Sequence, residues 1–297
     1  MAGTSDPVEL AAGALNVTLA PAIGGSVAAF RHGAIDLMRP LSARDAGPGN
    51  VLGVAMFPMV PYANRIARNA FDFRGRTYGF QPNNPPEKFN VHGTGWHRAW
   101  DVDRAEGSEA VLSLADSGAA YQYRATQHFA LEPAGLTVVM TITNDAPDPM
   151  PFGFGLHPWF IRDPDVTLQF KAGTFYLEEP DGVAGDRITV PAELGFGVER
   201  PLPDRWRNND YGRWDGVAIL RFPSRGFGLR IIADPVFRHL MIYADPTKPY
   251  FCVEPQTNAS GAFNRRGGFE DAEEGVLVLG PGESAKGAVR FEVFAVG

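Results

Sequence analysis

The chain reads as all-β, a large antiparallel β-sandwich formed by one domain over residues 1–297, on three observations. Apolar and polar residues alternate with a period of two in run after run. No window of eleven or more residues keeps an i, i+3, i+4, i+7 apolar stripe free of Gly and Pro. The helices that a doubly wound α/β sheet needs after each strand are therefore missing. Finally, 34 Gly and 25 Pro among 297 residues mark many short elements and turns, yet stay under the roughly 25–30% of low-complexity chains.

Taken in order, 15–19 alternates as a strand, Pro21 and Gly24-Gly25 punctuate, and 26–30 begins a second strand that turns near Arg31-His32-Gly33. Residues 71–73 and 76–78 flank Arg74-Gly75 as a compact hairpin. Further strand-like runs are 111–114, 121–131, 136–143, 166–170, 217–222, 229–233, 239–243, 250–254, 276–279 and 288–296. Turn residues separate them at Glu132-Pro133-Ala134-Gly135, Asn144-Asp145, 223–226 and Pro281-Gly282. The Pro/Gly-rich stretches 40–50, 81–95, 145–151 and 180–205 read as long loops, which in compact domains are often functional.

Composition narrows the function classes. With 27 basic against 34 acidic side chains the net charge is −7, so there is no basic field for nucleic acid or an anionic membrane. A single cysteine, Cys252 in the apolar run Tyr250-Phe251-Cys252-Val253, leaves no disulfide framework and reads as a small buried hydrophobe rather than a thiol nucleophile. The first residues, MAGTSDPVEL, carry neither a basic nor an apolar leader region, and no run reaches the roughly 18 apolar residues of a membrane span. The expectation is a soluble cytoplasmic protein. GxGxxG between strand and helix, GxxxxGK[ST], HExxH and GxSxG are all absent, which removes the usual support for nucleotide and serine-hydrolase chemistry.

Four segments carry chemistry. Pro61-Tyr62-Ala63-Asn64-Arg65-Ile66 joins an amide to a guanidinium fork able to orient hydroxyls or carboxylates. Asn90-Val91-His92-Gly93-Thr94-Gly95-Trp96-His97 has glycines that let backbone approach a ligand, leaving His92 and Trp96 to face a cavity. In Phe152-Gly153-Phe154-Gly155-Leu156-His157-Pro158-Trp159-Phe160 one histidine is embedded in aromatics, where desolvation favours the neutral imidazole unless a carboxylate is near. In Phe251-Cys252-Val253-Glu254-Pro255-Gln256-Thr257 a carboxylate ends an apolar strand, and partial burial would raise its pKa toward the range of a general base. Each also has a structural reading: a surface arginine, a loop-bonding histidine, a buried histidine, a strand-end glutamate paired to arginine. Together they have the contents of a carbohydrate site that works by acid/base chemistry.

In this order and spacing the four segments resemble the aldose 1-epimerase (galactose mutarotase) family, over roughly residues 15 to 295, including the late turn Leu279-Gly280-Pro281-Gly282-Glu283. The resemblance implies a galactose mutarotase-like supersandwich and interconversion of the α and β anomers of an aldose. It implies Glu254 as general base, His157 as general acid, and Asn64, Arg65 and His92 as groups that bind sugar hydroxyls or the ring oxygen. No metal or organic cofactor is implied, because only protons move, and the partner is a small-molecule sugar bound by a monomer or homodimer. The mechanism needs His157 protonated while Glu254 is ionised, so their attraction would have to offset desolvation.

One departure stands out. Where the family often carries an aspartate that helps bind the sugar, this chain has Asn208-Asn209-Asp210-Tyr211, so Asn208 takes that place, with Asp210 or Asp215 as substitutes after a loop shift. Arg187, Arg200, Arg205, Arg207 and Arg213 form a basic cluster around this segment, which reads either as solvated arginines or as a site for a phosphorylated or sulfonated hexose. Two further alternatives are a non-catalytic carbohydrate-binding protein of the same fold and a metallohydrolase built on His92, His157 and Glu254.

Overall fold

The computed structural model describes residues 6–42, 50–118 and 120–296, so most of the expected loop at 40–50 lies outside the described residues. Among the described residues there is no α-helix; 26 strands and five single-turn 3-10 segments make up the regular structure. The strands form an eleven-stranded sheet, a nine-stranded sheet and three two-stranded ribbons. Every strand pair is antiparallel, as the sequence predicts.

The nine-stranded sheet runs Asp101–Glu106, Glu109–Ser117, Gln122–Glu132, Gly135–Asn144, Ser284–Ala295, Phe227–Ala233, Val217–Phe222, Thr167–Phe170, Arg200–Pro201. Its central strands bury every second residue, because successive side chains point to opposite faces and only one face meets the core. Leu112, Phe129, Val138 and Phe291 point inward and pack with Leu10, Val17, Phe30 and Val253 of the other sheet in one apolar cluster. Each such buried side chain contributes about 1.5–3 kcal/mol.

The eleven-stranded sheet runs Val8–Ala12, Leu15–Ala20, Ser26–His32, Met56–Met59, Gly155–Ile161, Tyr250–Gln256, His239–Ala244, Arg207–Gly212, Thr174–Glu178, Ala184–Thr189, with Ile35–Asp36 beside the third. Its middle strands are buried on both faces: all of Met56–Met59, and all but one residue of Gly155–Ile161 and of Tyr250–Gln256. Phe251 and Val253 face the main core. Cys252 faces the other way, into a second apolar cluster with Val54, Phe57, Met59, Trp96 and Trp159.

That second face is roofed by chain segments arriving through the ribbon Arg65–Ile66 with Asn90–Val91. Close strand packing here needs Gly155, since a Cβ would meet Met59 Cε at 2.6 Å and the Pro255 carbonyl oxygen at 2.7 Å.

Three expected loops contain strands. The stretch 180–205 holds Ala184–Thr189 and Arg200–Pro201, 81–95 holds Asn90–Val91, and 145–151 runs into Met150–Phe152. These are edge or two-stranded elements fixed by their partners rather than by their own alternation, so turn-rich composition hides them.

Candidate functional site

Strand register builds the site. On Tyr250–Gln256, Cys252, Glu254 and Gln256 share one face, and on Gly155–Ile161 so do His157 and Trp159. The pairing sets Gly155 against Gln256 and Trp159 against Cys252, which brings His157 opposite Glu254. Phe57 pairs with His157, Met241 with Glu254 and Asp210 with Met241, completing one cross-strand row. A second row runs Trp159, Cys252, Tyr243, Asn208.

At the centre of the first row His157 Nε2 lies 3.3 Å from Glu254 Oε1, and both side chains are more than nine-tenths buried. Phe57 stacks on the imidazole at 4.4 Å and Trp159 on its other side at 4.7 Å. Burial, with the positive charges of Arg39 and Arg65 behind it, pushes the His157 pKa down to about 3. Burial pushes Glu254 well above the usual carboxylate range, against the pull of Arg65 and with the help of Asp210. Both shifts favour the neutral forms, a protonated Glu254 carboxyl and an uncharged His157 imidazole, so desolvation runs against the charged pair that the resemblance implies.

The roof supplies the other groups. Asn64 and His92 both sit in the left-handed backbone region, at φ 63° and 58°, and exchange hydrogen bonds. The His92 N–H donates to the Asn64 carbonyl at 3.0 Å, and the Asn64 N–H donates to His92 Nδ1 at 3.1 Å. With Nδ1 accepting, the neutral ring carries its proton on Nε2 as a donor. Burial first, then His157, Arg65 and His97, hold His92 well below the usual histidine range. Next to it, Gly93 at φ 69° is obligatory, since a Cβ would lie 2.3 Å from Pro61 Cδ.

Arg65 is held by a two-pronged ion pair, Nε to Glu87 Oε2 at 3.0 Å and Nη2 to Glu87 Oε1 at 2.9 Å. Its Nη1 has only a 3.5 Å contact with Asn64 Oδ1. Asn64, Arg65, His92, His157, Asn208 and Glu254 all line one cavity of about 260 Å³, so the catalytic and sugar-binding candidates of the four motifs, with Asn208, share one place.

Around 208 the three candidates are placed differently. Asn208 lines the cavity and donates Nδ2 to Glu178 Oε1 at 2.6 Å. Asp210 is buried against His239 and bonded by Gln256 and the Ser260 N–H, and Asp215 accepts from the Val217 N–H in an exposed turn. Neither lines the cavity. Nor do the five arginines: Arg187 pairs with Asp271 and Glu274, Arg213 with Glu273, Arg200 bonds backbone carbonyls, and Arg207 lies over Phe175. These four are turned to carboxylates, backbone carbonyls or an aromatic ring, and Arg205 is exposed outside the cavity.

Glu87 and Glu178 are the residues that sequence reasoning missed; neither belongs to a motif, and each is reached only through its partner. As for metal, among the described residues one group of three could hold an ion: His157, Cys252 and Glu254, with ligand atoms within 4.8 Å of one another. His92 is not in it, which separates this group from the His92, His157, Glu254 set weighed above. Among the described residues no helix is long and apolar enough to cross a membrane.

A family model described as aldose 1-epimerase matches residues 13–292. The uncharacterized protein YphB of Escherichia coli (strain K12) is 32% identical over 282 residues, covering 91% of this chain and 93% of its own length. A crystal structure of an Escherichia coli K12 protein, described as a candidate aldose 1-epimerase, superposes with a TM-score of 0.90 at 29% identity, covering 98% of this chain and 99% of that one. A galactose mutarotase-like protein from Clostridium acetobutylicum shares the fold, with a TM-score of 0.82 at 17% identity, over 97% of this chain and 95% of that one.

Proposed function

The chain belongs to the aldose 1-epimerase family, and we propose that it interconverts the anomers of a free aldose by acid/base opening and reclosure of the sugar ring. The observation that supports this most is the buried His157–Glu254 pair at 3.3 Å, in a cavity that also holds Arg65, His92, Asn64 and Asn208.

Ring opening moves two protons. Glu254 takes the proton of the C1 hydroxyl as His157 gives one to the ring oxygen; the C1–O5 bond breaks and C1=O1 forms. The pair then has its proton on Glu254 and none on His157, the state that burial favours. Reclosure runs backward from it: Glu254 returns a proton to O1 while His157 takes one from O5–H, after rotation about C1–C2 has exposed the other carbonyl face. Reclosure thereby leaves Glu254 ionised and His157 protonated, the state that opens the next ring. The Arg65 charge already stabilises ionised Glu254, and hydroxyls of a bound sugar add hydrogen bonds to the charged pair.

His92 Nε2–H and Arg65 Nη1 are donors for ring and hydroxyl oxygens, and the Asn208 carbonyl is an acceptor. The cavity favours a neutral sugar, because among the described residues Arg65 is the one cationic side chain lining it, and Glu87 engages two of its three nitrogens.

Exchange NMR on pure anomers of glucose, galactose and arabinose tests the reading. Acceleration over the spontaneous rate that survives EDTA supports it, and an unaltered rate for every sugar refutes it.

A further inference from the structure

Asp210 is buried beside the proposed site yet lines no part of its cavity, and proton transfer between a sugar, His157 and Glu254 does not use it. A buried carboxyl costs stability unless its oxygens have partners. Gln256 Nε2 and the Ser260 N–H donate to Asp210 Oδ2 at 3.1 and 2.7 Å, and His239 Nδ1 lies 3.1 Å from Oδ1. His239 Nε2 donates in turn to the Glu273 carbonyl at 2.9 Å, so the ring is fixed from both ends. His239, Gln256 and Ser260 are buried with Asp210.

These bonds lead to the roof. Ser260 follows Glu254 on the same stretch of chain, just beyond the strand Tyr250–Gln256. That stretch grips the roof at Ala63, Asn64 and Ala67. Asn258 Nδ2 donates to the Ala63 carbonyl at 3.0 Å while its Oδ1 accepts from the Ala63 N–H at 3.1 Å, and Asn264 Oδ1 accepts from the Ala67 N–H at 2.8 Å. Both of these hold backbone. Ser260 differs, because its Oγ donates at 2.9 Å to Oδ1 of Asn64, a side chain that lines the cavity.

The Arg65 N–H also donates to Asn64 Oδ1, at 3.0 Å. A backbone N–H can only donate, so the end of the amide that Ser260 touches is the oxygen, and Oγ is the donor in that bond. Nδ2 is thereby left to the cavity as a donor. Asn64 stands at φ 63°, and its backbone N–H holds Nδ1 of His92. The residue that presents the amide therefore also fixes the neighbouring imidazole.

We propose that Ser260 and Asp210 are positioning residues for the sugar: Asp210 fixes Ser260, and Ser260 holds the Asn64 amide with its NH2 toward the oxygens of the bound aldose. The proposal rests on the anomer-interconversion reading. The strand that carries Glu254 thus also sets, through the turn after it, a donor that meets the substrate from the roof.

Exchange NMR on glucose, galactose and arabinose gives kcat and KM for the full-length wild type, Ser260→Ala, Asn64→Ala, the double variant, Asp210→Ala and Asp210→Asn. Calorimetry on the same sugars at anomeric equilibrium gives binding alone, since no net reaction then occurs. Ser260→Ala is expected to raise KM and the dissociation constant about 5-fold, the scale of one hydrogen bond, with kcat within about 2-fold of wild type. That loss disappears once the amide is gone, so the double variant binds no more weakly than Asn64→Ala. Asp210→Ala weakens binding at least as much as Ser260→Ala. Asp210→Asn restores most of it, since its amide oxygen can accept from Gln256 and Ser260 while its NH2 donates to a neutral His239 Nδ1.

A Ser260→Ala variant with lowered melting temperature but unchanged KM and binding overturns the proposal, because the bond is then structural. Losses that multiply in the double variant overturn it too, because Ser260 then acts independently of Asn64. Asp210→Asn as weak as Asp210→Ala overturns the part given to Asp210, whose charge on Glu254 is then what matters. Ser260→Ala removes a single oxygen, so its cycle with Asn64 decides the matter even where Asp210→Ala fails to fold. No exchange with any sugar overturns the anomer-interconversion reading, and the calorimetric comparison then still decides the positioning; binding of no sugar overturns both.

Discussion

The strands Glu109–Ser117, Gln122–Glu132 and Gly135–Asn144 of the nine-stranded sheet bury alternate residues, while Met56–Met59, Gly155–Ile161 and Tyr250–Gln256 of the eleven-stranded sheet are buried on both faces. The same backbone geometry serves two ends. In the first sheet one face meets the core and the other meets water. In the second, roof segments 60–66 and 90–97 cover the outer face, and the space left under the roof holds the proposed acid and base. Burial is what separates the regions chemically, since it favours a neutral His157 and a protonated Glu254, and no such buried pair occurs among the described residues of the other sheet.

The largest expected effect sets the two sheets directly against each other. Glu254→Gln and His157→Asn should each lower the anomer-exchange rate at least about 100-fold, the lower end of general acid/base contributions, with circular dichroism unchanged. Phe129→Ala in the other sheet should do the reverse, costing about 3–5 kcal/mol of stability in denaturant titrations with turnover per folded molecule unaltered. Equal effects on rate would erase the distinction.

Next comes the roof. Arg65→Lys keeps the charge but loses the fork that grips Glu87, so KM should rise about 10-fold with kcat less affected. A loss confined to kcat would instead place Arg65 in the proton transfer.

A smaller effect follows from the turned-away arginines. A 6-phosphorylated hexose should show several-fold lower kcat/KM than its parent, with the gap narrowing as salt screens the carboxylates of the cavity. A preference for the phosphorylated sugar would return the basic cluster around Arg187 and Arg213 to the site.

The smallest effect is on stability against pH. The folded-state pKa of Glu254 is raised, so its contribution is complete below the ordinary carboxylate range and is lost as pH rises through the raised value. Glu254→Gln, which cannot ionise, should therefore gain melting temperature relative to wild type as pH rises, and the two should converge toward pH 4. A constant offset across pH would mean that burial does not raise this carboxyl.

The same contrast explains what could be read from the sequence. The run 121–131 falls within one residue of Gln122–Glu132, because a strand with one wet face writes its period of two into the chain. Gly155–Ile161, GLHPWFI, has no such period; covered on both faces, it needs no polar residues on alternate sides. Arg207–Gly212, RNNDYG, is polar yet largely buried, since its polar groups face partners such as Glu178 and His239 rather than water. His157, Glu254, Arg65 and His92 were legible because each sits in a compact local motif. Glu178 and Glu87 were not. Their places depend on cross-strand register and on a roof segment folding over, neither of which a local pattern encodes.

We propose that His157 and Glu254 share one proton and act as a unit, and a double-mutant cycle on anomer exchange tests this directly. If the claim holds, the double variant His157→Asn/Glu254→Gln is no slower than the worse single variant, because removing either partner already removes the relay. Losses that multiply in the double variant, or a single variant that retains near-normal exchange, would contradict it.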